Sequence, residues 1–229
     1  MNADDKRSLA AILECLYPKS LWVWPHHFRI GFEGLPHDAL LDVRDLPEAL
    51  RWIEMTVRSY QTLSISPHIF RADGGPAKFV SCLYTEIPGP PSRAIQALNG
   101  FSPRPSAVWG WGKMTTAVWA ISPIELTKPG ECAERADEIL ETLILLAGAL
   151  GGTVQHVRAD RGPGIHGYQP TWGGFFRDEL VLPFSYRGRD EKTGLPDCVL
   201  PILLPVSPVQ RLGFQEIADA LSVSARLLN

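Results

Sequence analysis

Two apolar, aromatic-rich runs, Ala107 to Trp109 and Thr116 to Ile121, stand on either side of a turn carrying Gly110 and Gly112. Short β-prone runs around a glycine turn predict a β-hairpin. Helical and strand-like segments alternate around it, so the hairpin commits the chain to an antiparallel or mixed sheet with helices packed against it. The flanking segments agree. Cys132 to Leu150 carries Ile139, Leu143, Leu146 and Leu150 on one helical stripe, and Gly151-Gly152 stops it.

Before the hairpin, Leu9, Ile12, Leu13 and Leu16 have the i, i+3, i+4, i+7 spacing of an amphipathic helix over Ser8 to Leu16, which Pro18 ends. Trp22-Val23-Trp24 and Phe28 to Phe32 read as short strands around Pro25. Asp45, then Pro47 and Glu48, opens a helix to about Tyr60. Pro67 to Arg71 and Phe79 to Thr85 read as strands paired across Gly74-Gly75-Pro76, and a short helix covers Ser92 to Leu98. After Leu150, the glycine-, proline- and aromatic-rich stretch Arg161 to Phe176 reads as loop. Strands at Leu180 to Phe184 and Val199 to Leu204 flank a polar turn near Gly188 to Gly194, and a helix begins at about Pro208. The expected architecture is α+β: one domain over residues 1–205 with a central mixed or antiparallel sheet flanked by helices, and a C-terminal helix over 206–229.

A chain of 229 residues with 45% hydrophobic content is large enough for a substantial core. Its 22 basic and 25 acidic residues leave a net charge of -3, so no global field draws nucleic acid or an anionic membrane, and any nucleic-acid contact must come from a local cluster. Cys15, Cys82, Cys132 and Cys198 are scattered without metal-ligand or disulfide spacing and read as free thiols of a reducing cytosol. No signal peptide or membrane span is expected, which makes a cytoplasmic protein the expectation.

In order and spacing, these pieces resemble the catalytic palm of the archaeo-eukaryotic primase superfamily, in particular the primase-polymerase domains of plasmids, phages and integrated elements. The resemblance covers roughly residues 8–170. It rests on Leu16-Tyr17-Pro18 closing a helix, on the strands Phe28 to Phe32 and Ser66 to Phe70, and on Pro105-Ser106-Ala107-Val108 through Trp119. A long helix closing on Gly-Gly and the Arg-x-x-Arg-x-Pro-Gly segment of Arg158, Arg161, Pro163 and Gly164 complete it. It implies a sheet bearing two carboxylates at alternate strand positions, which share one face and hold divalent ions against nucleotide phosphates.

The chemistry-bearing positions depart from that pattern. Glu86 stands at the first acid, but Pro88 occupies the second. Trp111 falls where a serine is expected and Thr116 where a histidine is expected. The third acid falls near Gln155 or His156. These losses imply a catalytically degenerate domain with no metal and no cofactor. Its expected partner is nucleic acid or a replication protein of a mobile element, with no membrane role. Lys113, Arg158, Arg161, Arg177 and Trp111 are the candidate nucleic-acid contacts, and the alternative for the cations is a scattered solvated surface.

Glu86 and His166 are the weak catalytic candidates; Glu86 reads otherwise as a solvated or salt-bridged strand residue. Trp109, Trp111 and Trp119 are core or rim aromatics, or else platforms for unpaired bases. His26-His27 would point to opposite sides of a strand, which argues against joint metal ligation. Gly213 to Leu228 resembles the middle of a helix-turn-helix, against the simpler reading of one amphipathic helix. Two rival functions follow. One is a protein-interaction or immunity-type module without nucleic-acid binding, favoured by the near-neutral charge and the proline-rich strand Leu200 to Pro205. The other is an enzyme of unrecognised type using Glu86, His156, Asp160 or His166.

Overall fold

The computed structural model describes residues 1–21, 26–32, 40–43, 46–58, 63–65, 67, 69–70, 77–111, 113–126, 131–152, 180–189 and 196–227. The first helix, α1 (Ala3–Leu16), starts five residues before the apolar spacing predicts. Its start is fixed by a reciprocal cap. The Asp5 amide donates to Asn2 Oδ1 at 2.8 Å and the Asn2 amide donates to Asp5 Oδ2 at 3.0 Å, which satisfies two amides of the first turn. Leu9, Ile12, Leu13 and Leu16 are buried, as their spacing requires.

The chain continues through β1 (His26–Phe32), β2 (Leu40–Val43), α2 (Leu46–Arg58), β3 (Leu63–Ile65), β4 (Ile69–Phe70), β5 (Ala77–Pro88) and α3 (Pro91–Asn99). Then come β6 (Ala107–Trp111), β7 (Met114–Glu125), α4 (Glu131–Leu150), β8 (Leu180–Val181), β9 (Tyr186–Arg189), β10 (Pro196–Cys198), β11 (Leu200–Leu203) and α5 (Phe214–Leu227). Among the described residues nine strands form one sheet in the order β11-β6-β7-β5-β4-β1-β3-β8, with β2 also paired to β1; β9 and β10 form a separate pair. The predicted hairpins β4–β5 and β6–β7 are both present and antiparallel. The expected strand Trp22 to Trp24 and the loop Arg161 to Phe176 lie outside the described residues.

The sheet path bends until its two ends meet. The Trp109 indole of β6 donates to the Val181 carbonyl of β8 at 2.7 Å. The Phe184 amide bonds the Val199 carbonyl at 2.6 Å, and the Val199 amide returns to Ser185 at 3.0 Å. As a result every residue of β5 from Phe79 to Ile87 is buried, although strict alternation would leave one face wet. One face packs on helices: Trp119 meets Phe101 edge to face with centroids 5.7 Å apart, and α1, α3 and α4 contact β5 or β7. The other face carries Trp109 and looks toward the β3–β8 ladder.

Two expectations for the C-terminal third need correction. Between the strands expected at Leu180 to Phe184 and Val199 to Leu204 lies a further pair, β9–β10, while β8 pairs with β3 and β11 with β6. The last helix begins at Phe214 rather than near Pro208, since the preceding segment runs along β7: the Leu212 amide donates to Ala120, and the Ser122 amide to Leu212, both at 2.9 Å. From Phe214 the helix runs unbroken through Ser222 to Leu227, so the place where a helix-turn-helix would turn is helical.

Candidate functional site

The face of interest is built by register. In β5, Glu86 pairs with Thr116 of β7, and Thr116 pairs with Trp109 of β6. Directly opposed residues of an antiparallel ladder share a face, so these three side chains form one row. All three are buried: Glu86 is 1% exposed, and Thr116 and Trp109 are 0% exposed. Thr116 Oγ1 makes no hydrogen bond to any described residue. The indole of Trp109, held through its N–H on Val181, fills one end of the row.

Two positions along each strand lie Pro88, Met114 and Trp111 in register. Alternate strand positions share a face, so the partner of Glu86 in a metal-binding pair would stand at Pro88, which is exposed and has no donor atom. Mg²⁺ asks for an octahedral oxygen shell built from carboxylates and substrate phosphates. Among the described residues the row holds one carboxylate, with a threonine and an indole, and one carboxylate alone does not make a two-metal clamp.

Burial also corrects the reading of Glu86 as a solvated strand residue. Trp109 and Trp119 are core side chains, each with its indole N–H on a carbonyl: Val181 at 2.7 Å for Trp109 and Pro103 at 2.8 Å for Trp119. Neither offers a face to a base. The backbone of Trp111 sits at the end of β6, but its side chain lies outside the described residues. Lys113 is exposed at the tip of the β6–β7 hairpin, and its carbonyl accepts from the Gly89 amide at 3.0 Å. Gln155, His156, Arg158, Asp160, Arg161, His166 and Arg177 lie outside the described residues. The structure therefore brings together Glu86, Thr116 and Trp109, with Lys113 at the adjoining turn.

The helix that closes on Gly-Gly reaches the same strand. Gly151, at φ +62°, and Gly152 form the paired bonds of a Schellman end: Gly152 N to Ala147 O at 2.8 Å and Gly151 N to Gly148 O at 3.3 Å. A Cβ on Gly152 would lie 2.6 Å from Thr85 Oγ1 and 2.8 Å from the Glu86 carbonyl. The helix end thus presses directly on the backbone that carries Glu86.

A second polar cluster, at the other end of the buried run of β5, was invisible in the sequence. Arg211 donates to the carbonyls of Glu14, Cys15, Ser81 and Ile121, and so ties α1, β5 and β7 to the segment before α5. The Ser81 hydroxyl donates to Leu16 of α1. Burial pushes the Cys15 and Cys82 thiols up to about 12 against the opposing pull of the Arg211 charge. Burial likewise holds the Tyr17 phenol well above its ordinary range. Arg211 sits between Gln210 and Leu212 in an aperiodic stretch, where no sequence signal marks it.

No protein-family model matches the chain, and no curated protein matches it in sequence. Among solved structures it is similar to the AEP domain of the primase-polymerase (PrimPol) of cyanophage S-2L. That match has a TM-score of 0.54 and 12% identity, over 94% of this chain and 97% of that one. It is also similar to primase RepB', with a TM-score of 0.51 and 12% identity, over 97% of this chain and 65% of that one. These two likenesses show that the chain has the fold of AEP primase-polymerase domains.

Proposed function

We propose that this primase-like domain has lost metal-dependent nucleotide transfer and acts by binding nucleic acid or a replication protein in a mobile genetic element. One observation carries the proposal. The row Glu86–Thr116–Trp109 is closed from solvent and holds one carboxylate, with Pro88 at the alternate position. A carboxylate sealed in this way is also poorly placed as a general acid or base, which must come within hydrogen-bond reach of its substrate. The occurrence of the same fold in a phage primase-polymerase supports the mobile-element setting.

Nucleic-acid binding is assigned to Lys113, Arg158, Arg161, Arg177 and Trp111. Mobility shift of labelled single-stranded and duplex DNA at low salt tests it, since phosphate contacts are then strongest. A shift that weakens steeply with added salt is expected; no shift with either substrate overturns this part of the proposal.

A second reading, a protein-interaction module, is favoured by the edge strand β11 and the residues after it. Leu200 is 57% exposed and Val206 81% exposed, with Leu203 and Leu204 also exposed between them. An apolar edge of this kind is uncommon on a free surface. Co-purification with a protein partner, lost on Leu203→Lys and combined with no DNA shift, would select this reading.

A further inference from the structure

We infer that Arg93, together with Lys113, forms a two-cation rim that holds consecutive phosphates of a single nucleic-acid strand. The inference rests on the nucleic-acid reading above and adds a residue to it. Gly89 joins the two cations. It lies between β5 and α3 at φ +108°, and its amide donates to the Lys113 carbonyl at 3.0 Å. A Cβ at Gly89 would lie 3.5 Å from Arg93 Cδ and 3.9 Å from Arg93 Nη1, so the Arg93 side chain lies over the glycine whose amide bonds the Lys113 turn.

Charge placement supports the same conclusion. Between Glu86 and Glu125 the chain contains no acidic residue, but it contains Arg93, Arg104 and Lys113, in a protein whose net charge is -3. Both Arg93 and Lys113 are exposed, and neither makes an ion pair or a side-chain hydrogen bond among the described residues. Elsewhere, Lys6, Arg7, Lys19 and Arg135 each hold a carboxylate within 3.1 Å. An uncompensated cation pair is the local field that a near-neutral chain needs to attract a polyanion.

The location fits the role. Pro88 precedes Gly89 and pairs with Met114, so the rim borders the face that carries Glu86 and Thr116. Arg93 packs on Gly89 and the Lys113 backbone is bonded to it, and two cations anchored at one residue suit neighbouring phosphates of one strand.

The test is fluorescence anisotropy of a labelled oligothymidylate over a series of salt concentrations, with wild type, Arg93→Gln, Lys113→Gln and the double variant. Arg104→Gln serves as control. Arg104 is exposed beside Trp119, roughly 15 Å along β7 from the hairpin tip at strand spacing. Each single variant is expected to lower affinity about fivefold near 0.1 M salt and to flatten the log K against log salt slope by about 0.7, the double variant by about twice that. Arg104→Gln is expected to change neither. Binding by wild type with an unchanged slope in both Arg93→Gln and Lys113→Gln overturns the inference and leaves the nucleic-acid reading intact. An equal effect of Arg104→Gln also overturns it, since that would show diffuse surface charge. Absence of wild-type binding overturns the reading and the rim with it.

Discussion

Arg211 shows how much a single side chain does in this fold. Its guanidinium satisfies carbonyls from α1, β5 and β7 that would otherwise be buried without donors. Hydrogen bonds to a charged group contribute about 1.5–3 kcal/mol each, and orphaned buried carbonyls add a desolvation cost. Arg211→Met should therefore destabilise the protein by about 3 kcal/mol or more, measured as a lower urea midpoint at unchanged m. The two thiols beside it give a pH signature. Below pH 9 Cys15 and Cys82 are neutral in both folded and unfolded chains, and their burial contributes fully. From 9.0 to about 12 the unfolded chain gains thiolates that the folded chain refuses, so stability falls across that window. Denaturation midpoints across that range should flatten in a Cys15→Ala/Cys82→Ala variant. At pH 8 a thiol reagent should modify the exposed Cys198 well before either buried thiol.

Among the elements, α4 ends on a contact that distinguishes its two glycines. Gly151 needs a positive φ, so Gly151→Ala should cost about 1 kcal/mol. Gly152 needs space, because its Cβ would collide with Thr85 and with the Glu86 backbone; Gly152→Ala should cost more, about 1–3 kcal/mol, and thermal or urea unfolding of both variants checks the order. The existence of α4 and its stop was legible in the sequence, since the apolar stripe and the Gly-Gly pair agree. So were the hairpins β4–β5 and β6–β7. The start of α1 was missed because residues 4–7 are all charged and only the Asn2–Asp5 cap marks the first turn. The pairing after Leu180 was not legible for a different reason. Strand partners there are set by long-range closure of the sheet, with β8 on β3 and β11 on β6, and local sequence carries no information about which distant edge is free.

For the whole molecule, closure of the sheet path decides what the row Glu86–Thr116–Trp109 can do. Periodicity alone leaves Glu86 on a half-wet strand, and that is how it reads in sequence. In the folded sheet Glu86 and Thr116 are interior, and the β3–β8 ladder closes on the Trp109 end of their row. The departures at Pro88, Trp111 and Thr116 were legible, because they are residue identities at fixed spacing. The burial of Glu86 and Thr116 was not, because it is a property of the folded sheet and strict strand alternation does not mark it. Trp109→Phe keeps the ring but removes the indole donor, leaving Val181 without this bond; it should cost about 1–2 kcal/mol in unfolding free energy. The central claim concerns catalysis, and primer extension on a single-stranded template with Mg²⁺ or Mn²⁺ tests it most directly. A buried lone carboxylate predicts no nucleotide incorporation above a protein-free control, at protein concentrations where the DNA is bound. Template-dependent incorporation that Glu86→Gln abolishes would contradict the claim.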